Sequence, residues 1–247
     1  MAISFIGHEV SISSTNSNTF TVSTSALTLV SGDVLHVSVT TDATTDAGID
    51  LGAGHSGVNT NVYNFTDITS DPRKRDDIIV YTGSAITLDY ELAGLDAETW
   101  HAIVSQWRGV DNTTPVPGSS PTNYRGDYEA LTNSPTAQAI TAPAGSGYVA
   151  VTSYGQQEDD FDTNGEPTGY TKVAISASGG GTLDCSGGVA YRTGISAGAV
   201  AAADWTTLAA EDANITHFLL NPASDASIQN LLMGANLGKS LLKGANL

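Results

Sequence analysis

At 247 residues the chain is long enough to bury a sizeable core, as one large all-β domain or two small ones. Its formal net charge of −17, with 9 Lys and Arg against 26 Asp and Glu, leaves too few cations to cradle a phosphate backbone, so neither nucleic acid nor an anionic membrane is an expected partner. A single cysteine, Cys185, allows no internal disulfide and reads as a small apolar strand residue, and no stretch approaches the roughly eighteen apolar residues of a membrane span.

From the N-terminus, Met1-Ala2-Ile3-Ser4-Phe5-Ile6-Gly7-His8 has no basic region and no long apolar run, so it does not read as a secretion signal, and synthesis in a cytoplasm is expected. The first clear strand follows the turn signal Ser31-Gly32. In residues 33–40 a period of two places Leu35, Val37 and Val39 on one face and His36, Ser38 and Thr40 on the other, which reads as a core face and a polar face. Similar runs predict strands near 19–23, 77–81, 85–90, 100–107, 147–154, 169–176, 187–192 and 215–220. Between them lie turn clusters such as Asp71-Pro72, Thr114-Pro115-Val116-Pro117-Gly118 and Gly179-Gly180-Gly181. Residues 96–99 and 198–205 could each make a helical turn, and residues 111–133 form a long polar excursion. Many short strands without alternating long helices predict an all-β antiparallel β-sandwich, jelly-roll-like, over residues 1–223. The polar segment Asn221-Pro222-Ala223-Ser224-Asp225-Ala226-Ser227 separates it from a short C-terminal helical or extended tail, residues 224–247.

The strongest metal signal is Asp160-Phe161-Asp162-Thr163-Asn164-Gly165, the opening D-x-D-x-N-G of a calcium loop. Asp160, Asp162 and Asn164 would present hard oxygens at alternate positions, and the glycine would permit the sharp turn. Thr171 stands where a bidentate glutamate would complete the loop, so a second reading makes Asn164-Gly165 the turn of an acidic hairpin between 148–154 and 170–176. No other cofactor is expected. The five histidines lack metal spacing, and His36 and His217, set in strand alternation, read as structural or solvent-facing. There is no G-x-S-x-G, no P-loop and no dinucleotide fingerprint. Among the aromatics, Trp107 reads as buried at the end of an apolar strand. In the polar excursion, Tyr124, Arg125, Asp127 and Tyr128 are the candidates for an exposed glycan contact, because amphipathic rings stack on apolar sugar faces.

The tail repeats a phrase: Leu231-Leu232-Met233-Gly234-Ala235-Asn236-Leu237, then Leu241-Leu242-Lys243-Gly244-Ala245-Asn246-Leu247. A ten-residue period advances an α-helix by about 1000°, some 80° out of register, and each glycine costs about 1 kcal/mol of helicity, so a long helix is disfavoured. One or two helical turns from Asp225, followed by extended chain, is the expected form. Ile228, Leu231, Leu232, Leu237, Leu241, Leu242 and Leu247 cannot cover one another within one short segment, which points to assembly with other copies. Lys239 and Lys243, with no acidic neighbour after Asp225, make this end locally basic on an acidic body.

Four segments in order carry a resemblance: Ser31-Gly32-Asp33-Val34-Leu35; His101 to Pro115, with Trp107-Arg108-Gly109-Val110-Asp111 at its centre; Ser146-Gly147-Tyr148-Val149-Ala150-Val151; and Pro167-Thr168-Gly169-Tyr170-Thr171. The order resembles that of short tailed-bacteriophage virion proteins, over residues 1–223 and without the tail. The resemblance implies a jelly-roll-like module used as a fibre, decoration or adhesion element. It brings no catalytic residues, and it implies a structural role for Arg108 and Asp111 as a turn stapled by an Arg–Asp contact. The expected function is therefore a non-enzymatic virion component, a tail fibre first and a capsid decoration protein second. Its expected location is the virion, after assembly in the host cytoplasm. A homo-oligomer, a trimer first, other virion proteins and a host-surface glycan are the expected partners. The rivals are a carbohydrate-active depolymerase, which needs two carboxylates flanking a cleft, and a secreted adhesin.

Overall fold

The computed structural model describes residues 2–42, 48–56, 63–67, 72–92, 97–118, 124–157, 165–179, 185–207 and 210–224. Among the described residues fifteen strands run in chain order: β1 (Ser4–Ser17), β2 (Thr19–Val22), β3 (Val34–Thr41), β4 (Ile49–Leu51), β5 (Tyr63–Asp67), β6 (Arg73–Val80), β7 (Leu88–Leu92), β8 (Glu98–Arg108), β9 (Tyr124–Thr132), β10 (Thr136–Ala137), β11 (Ile140–Gln157), β12 (Thr171–Ala177), β13 (Cys185–Val200), β14 (Ala203–Asp204) and β15 (Glu211–Leu220). No helix occurs among the described residues. The protein is all-β, and every strand pair is antiparallel.

Two five-stranded sheets form the sandwich, ordered β1-β8-β3-β6-β5 and β12-β13-β11-β15-β9. They stack strand over strand: β1 on β12, β8 on β13, β3 on β11, β6 on β15 and β5 on β9. All strands of the first sheet precede residue 109 and all strands of the second follow residue 123, so each sheet folds from one half of the chain. The likeness to a jelly roll lies in the two antiparallel layers, each of which the chain completes within one half of its length.

Both sheets are also covered on their outer faces. A three-stranded sheet, β2-β7-β4, packs Phe20, Val22, Ile49, Leu88 and Tyr90 onto Leu35, Val37, Val39, Ile79 and Val104 of the first sheet. The second sheet's outer face carries Ala150, Tyr154, Ala190, Ile215 and Leu219, and these lie under Ala137, Ile140, Tyr170, Val200 and Trp205. Hence β3, β6 and nearly all of β8 are buried on both faces. Trp100, Trp107 and Trp205 are all fully buried, as is Cys185, whose Sγ lies 3.4 Å from the Thr40 carbonyl.

Several expectations are corrected. Glu98 and Thr99 open β8 and residues 198–205 end β13 and make β14, so the described residues of neither segment form a helical turn. Packing on Phe20 and the ladder to β3 hold Trp100 and its neighbours extended, which overrides the weak local helix signal. The polar excursion contains a nine-residue strand, β9, paired with β15. The acidic hairpin does not form as expected either: β12 pairs with β13, β13 separates it from β11, and Gly165 instead bridges Thr206. Asp160, Asp162, Asn164 and the tail residues from Asp225 onward lie outside the described residues.

Candidate functional site

The space between the two sheets is apolar at one end and charged further along. Val34, Ile78, Val80, Ile103, Trp107, Val149, Val151, Phe218 and Leu220 fill the apolar end. Continuing along the same inward faces, alternation delivers His36 and Thr40 from β3, Lys74 and Asp76 from β6, His101 and Ser105 from β8, Ser153 from β11 and Thr216 from β15. The face that reads as polar in the sequence is thus an interior face.

Asp76 is the hub. Its Oδ1 lies 2.8 Å from His36 Nε2 and accepts from Ser153 Oγ at 2.9 Å. Its Oδ2 accepts from Thr216 Oγ1 at 2.9 Å and contacts Lys74 Nζ directly. Lys74 Nζ also donates to Ser153 Oγ at 2.8 Å and to Thr216 Oγ1 at 3.2 Å, while the two hydroxyls lie 2.6 Å apart. The imidazole is set from behind. Trp107 Nε1 donates to Ser105 Oγ at 2.9 Å, and that hydroxyl lies 3.4 Å from His36 Nδ1, so a Ser105 proton on Nδ1 leaves Nε2–H to donate to Asp76.

Lys74 is 2 % exposed and Asp76 fully buried. Burial holds the Lys74 ammonium well below its ordinary range. Burial, reinforced by the Lys74 charge, also pushes His36 down to about 3 and His101 to about 3, so both imidazoles are neutral near pH 7. Both ring nitrogens of His101 lack a hydrogen-bond partner among the described residues. The sheets approach closely here because Gly155 and Gly187 face each other across β11 and β13. A Cβ on Gly155 would fall 2.4 Å from Thr40 Oγ1, and one on Gly187 would fall 2.9 Å from His101 Cε1.

Two further charged clusters are structural staples. On the outer face of β6, Arg75 Nε donates to Asp77 Oδ2 at 2.8 Å and its Nη1 to the Ile49 carbonyl at 2.9 Å, which ties β4 to the sheet. Burial raises the Asp77 carboxyl despite that pairing. Elsewhere, Arg108 grips Asp33 through Nε at 2.8 Å and Nη2 at 2.9 Å, and Gln106 Nε2 and the Val30 amide add bonds of 2.6 and 2.9 Å. Burial raises the Asp33 carboxyl, but these donors and the Arg108 charge together hold it below its ordinary value. The partner expected for Arg108 was Asp111; that carboxylate instead caps its own turn, accepting from the Thr113 and Thr114 amides at 2.8 and 3.0 Å. Asp33 wins because β3 and β8 are paired neighbours and bring it beside the guanidinium.

The four candidate glycan-contact residues lie on β9, which pairs with β15 alone among the described strands. They do not share a face. Arg125 and Asp127 sit in register with His217 and Ile215, and both bond the Gln138 side chain. Tyr124 and Tyr128 sit in register with Phe218 and Asn214, and Tyr128 donates from its hydroxyl to Asp212 Oδ2 at 2.9 Å. His217 is buried, with Nε2 2.8 Å from the Tyr170 hydroxyl and Nδ1 2.8 Å from the Gln138 carbonyl. Among the described residues no group of three or more His, Cys, Asp or Glu side chains could hold a metal ion.

The Lys74–Asp76–His36 network was not singled out from sequence. Residues 73–77 read Arg-Lys-Arg-Asp-Asp, an ordinary solvated charge run, and only the burial of both strand faces reveals its role. Comparison with protein-family models, with curated proteins and with solved structures finds no match to this chain.

Proposed function

We propose that this protein is a non-enzymatic structural component of a tailed-phage virion, a tail fibre whose sandwich is the exposed module and whose C-terminal repeat is the assembly element. The observation that carries the reading is how the last residues before the repeat are anchored. After β15, the Asn221 amide donates to the Pro115 carbonyl at 2.7 Å, the Asp111 amide to the Asn221 carbonyl at 2.8 Å and the Ala223 amide to the Gly109 carbonyl at 2.8 Å. Gly109 in turn packs against Ala2, at a φ of +81°, where a Cβ would meet the Ala2 carbonyl oxygen at 2.5 Å. The last described residues are therefore anchored beside the start of β1, and in the sequence the leucine repeat begins further on, at Leu231. A fixed anchor followed in the sequence by a repeating apolar segment suits a module held on a shared axis with other copies. A body with three hydrophobic core clusters among its described residues suits a particle component that must survive outside a cell.

Deleting residues 228–247 and measuring mass in solution tests the assembly role: the full chain should be a trimer and the truncated chain a monomer. An unchanged oligomeric state would remove the tail as the assembly element. Stoichiometric presence in purified particles, with no cleavage of host polysaccharide, is the result expected of a fibre. Release of oligosaccharide that is lost on a single Asp or Glu substitution would replace this reading with a depolymerase. Binding to assembled capsid, and not to a host glycan or the tail, would replace it with a decoration protein.

A further inference from the structure

We propose that Lys74 and Asp76 are joined by an intramolecular amide bond between Nζ and Cγ, formed by the folded protein itself. Alternate residues of a strand share a face, and here they point into one buried compartment where Nζ contacts the carboxylate. Ser153 and Thr216 straddle the pair, each within hydrogen-bond distance of both Nζ and a carboxylate oxygen, and so hold amine and acyl group together.

The two carboxylate oxygens are not equivalent. Oδ1 faces His36 Nε2 and the Ser153 hydroxyl, two donors placed where negative charge would develop on attack at Cγ. Oδ2 faces Nζ and the Thr216 hydroxyl, which can carry a proton to a departing oxygen. The ammonium first gives a proton to Oδ2, leaving a neutral amine and a neutral carboxyl group. The Nζ lone pair then bonds to Cγ while the C–Oδ1 π pair moves onto Oδ1. When that pair returns, the Cγ–Oδ2 bond breaks, and a second Nζ proton passes to Oδ2 through Thr216, so that one water leaves and an amide remains. No oxidant, metal or cofactor is needed.

Burial supplies the direction. Two enclosed charges carry a desolvation penalty that a neutral amide does not, and the compartment favours the uncharged amine that must attack. The product is also well satisfied: its carbonyl keeps the His36 and Ser153 donors, and its N–H faces the Thr216 hydroxyl.

Electrospray mass measurement of the purified full chain under denaturing conditions tests this directly. The expected mass is lower by one water than the sequence dictates. Tandem fragmentation should give a peptide spanning residues 74–76 with no backbone fragments inside that span. Lys74→Met and Asp76→Ala should each restore the full mass, a readout that does not require either variant to fold. A wild-type chain of full sequence mass overturns the proposal. So does a water loss that persists in Lys74→Met, which would mark ring closure of Asp76 onto its own backbone instead.

Discussion

Gly155 and Gly187 show how single atoms set the distance between the sheets. Thr40 is fully buried beneath Gly155, so the 2.4 Å approach of an added Cβ to Thr40 Oγ1, with Cγ2 at 2.7 Å, cannot be relieved by movement into solvent. Gly155→Ala should destabilise the fold by about 1–3 kcal/mol, the usual cost of overpacking, seen as a lower urea midpoint with an unchanged slope. Asp33 makes a second case at this scale. It is 2 % exposed and accepts four bonds, whereas the Arg108 side chain is 43 % exposed. Asp33→Ala strands buried donors and should cost about 2–3 kcal/mol, while Arg108→Ala removes a half-solvated partner and should cost about 1 kcal/mol or less. Equal losses in parallel urea titrations would mean that Arg108, and not the buried set of donors, is what Asp33 serves.

At the scale of elements, alternation made β3 legible, because Leu35, Val37 and Val39 fall at every second position, whereas β8, β11 and β15 were legible as short runs rich in apolar, β-branched and aromatic residues. It left the other face of β3 open. His36, Ser38 and Thr40 read as a polar face, with His36 structural or solvent-facing, and nothing in a local window reveals the second sheet that buries all three. The charged site was hidden for the same reason: its members come from five strands spread over residues 36–216, and only pairing brings them together. β1 escaped notice because its pattern is inverted. Ile6, Val10 and Ile12 are exposed, while Glu9, on the half-buried face, accepts from the Ala26 amide at 2.8 Å and from Ser25 Oγ at 3.2 Å and binds Ser23 as well. It follows that Ile12→Thr should change stability by less than about 0.5 kcal/mol, whereas Glu9→Ala, which frees the 23–26 turn, should cost about 1 kcal/mol. Thermal unfolding of the two variants side by side checks the order; a larger loss for Ile12→Thr would show that its face is covered in the assembled protein.

Over the whole molecule, three buried histidines couple stability to acidity. His36 and His101 lie between the sheets and His217 lies under the outer cover of the second sheet, and burial depresses them to about 3, about 3 and about 4. In the unfolded chain each regains an ordinary value near 6.5, so below that pH the unfolded state takes up protons that the folded state refuses. The stability they contribute is fully present above about pH 6.5 and is lost as pH falls toward the folded values, at up to about 1.4 kcal/mol per pH unit for each histidine. Burial is the larger cause at His36 and His101, with the Lys74 charge second, so the window persists even if Lys74 is held as a neutral amide. With Lys74 held as an amide that does not titrate, urea midpoints should therefore be nearly flat from pH 8 to about pH 6.5 and then fall steeply toward about pH 4, before the Asp33 carboxylate is protonated. Replacing His101, which has no hydrogen-bond partner among the described residues, by glutamine should shallow the slope by about a third while leaving the onset in place. A midpoint that holds constant down to about pH 5 would mean that these imidazoles charge within the fold, and so that the compartment between the sheets admits water.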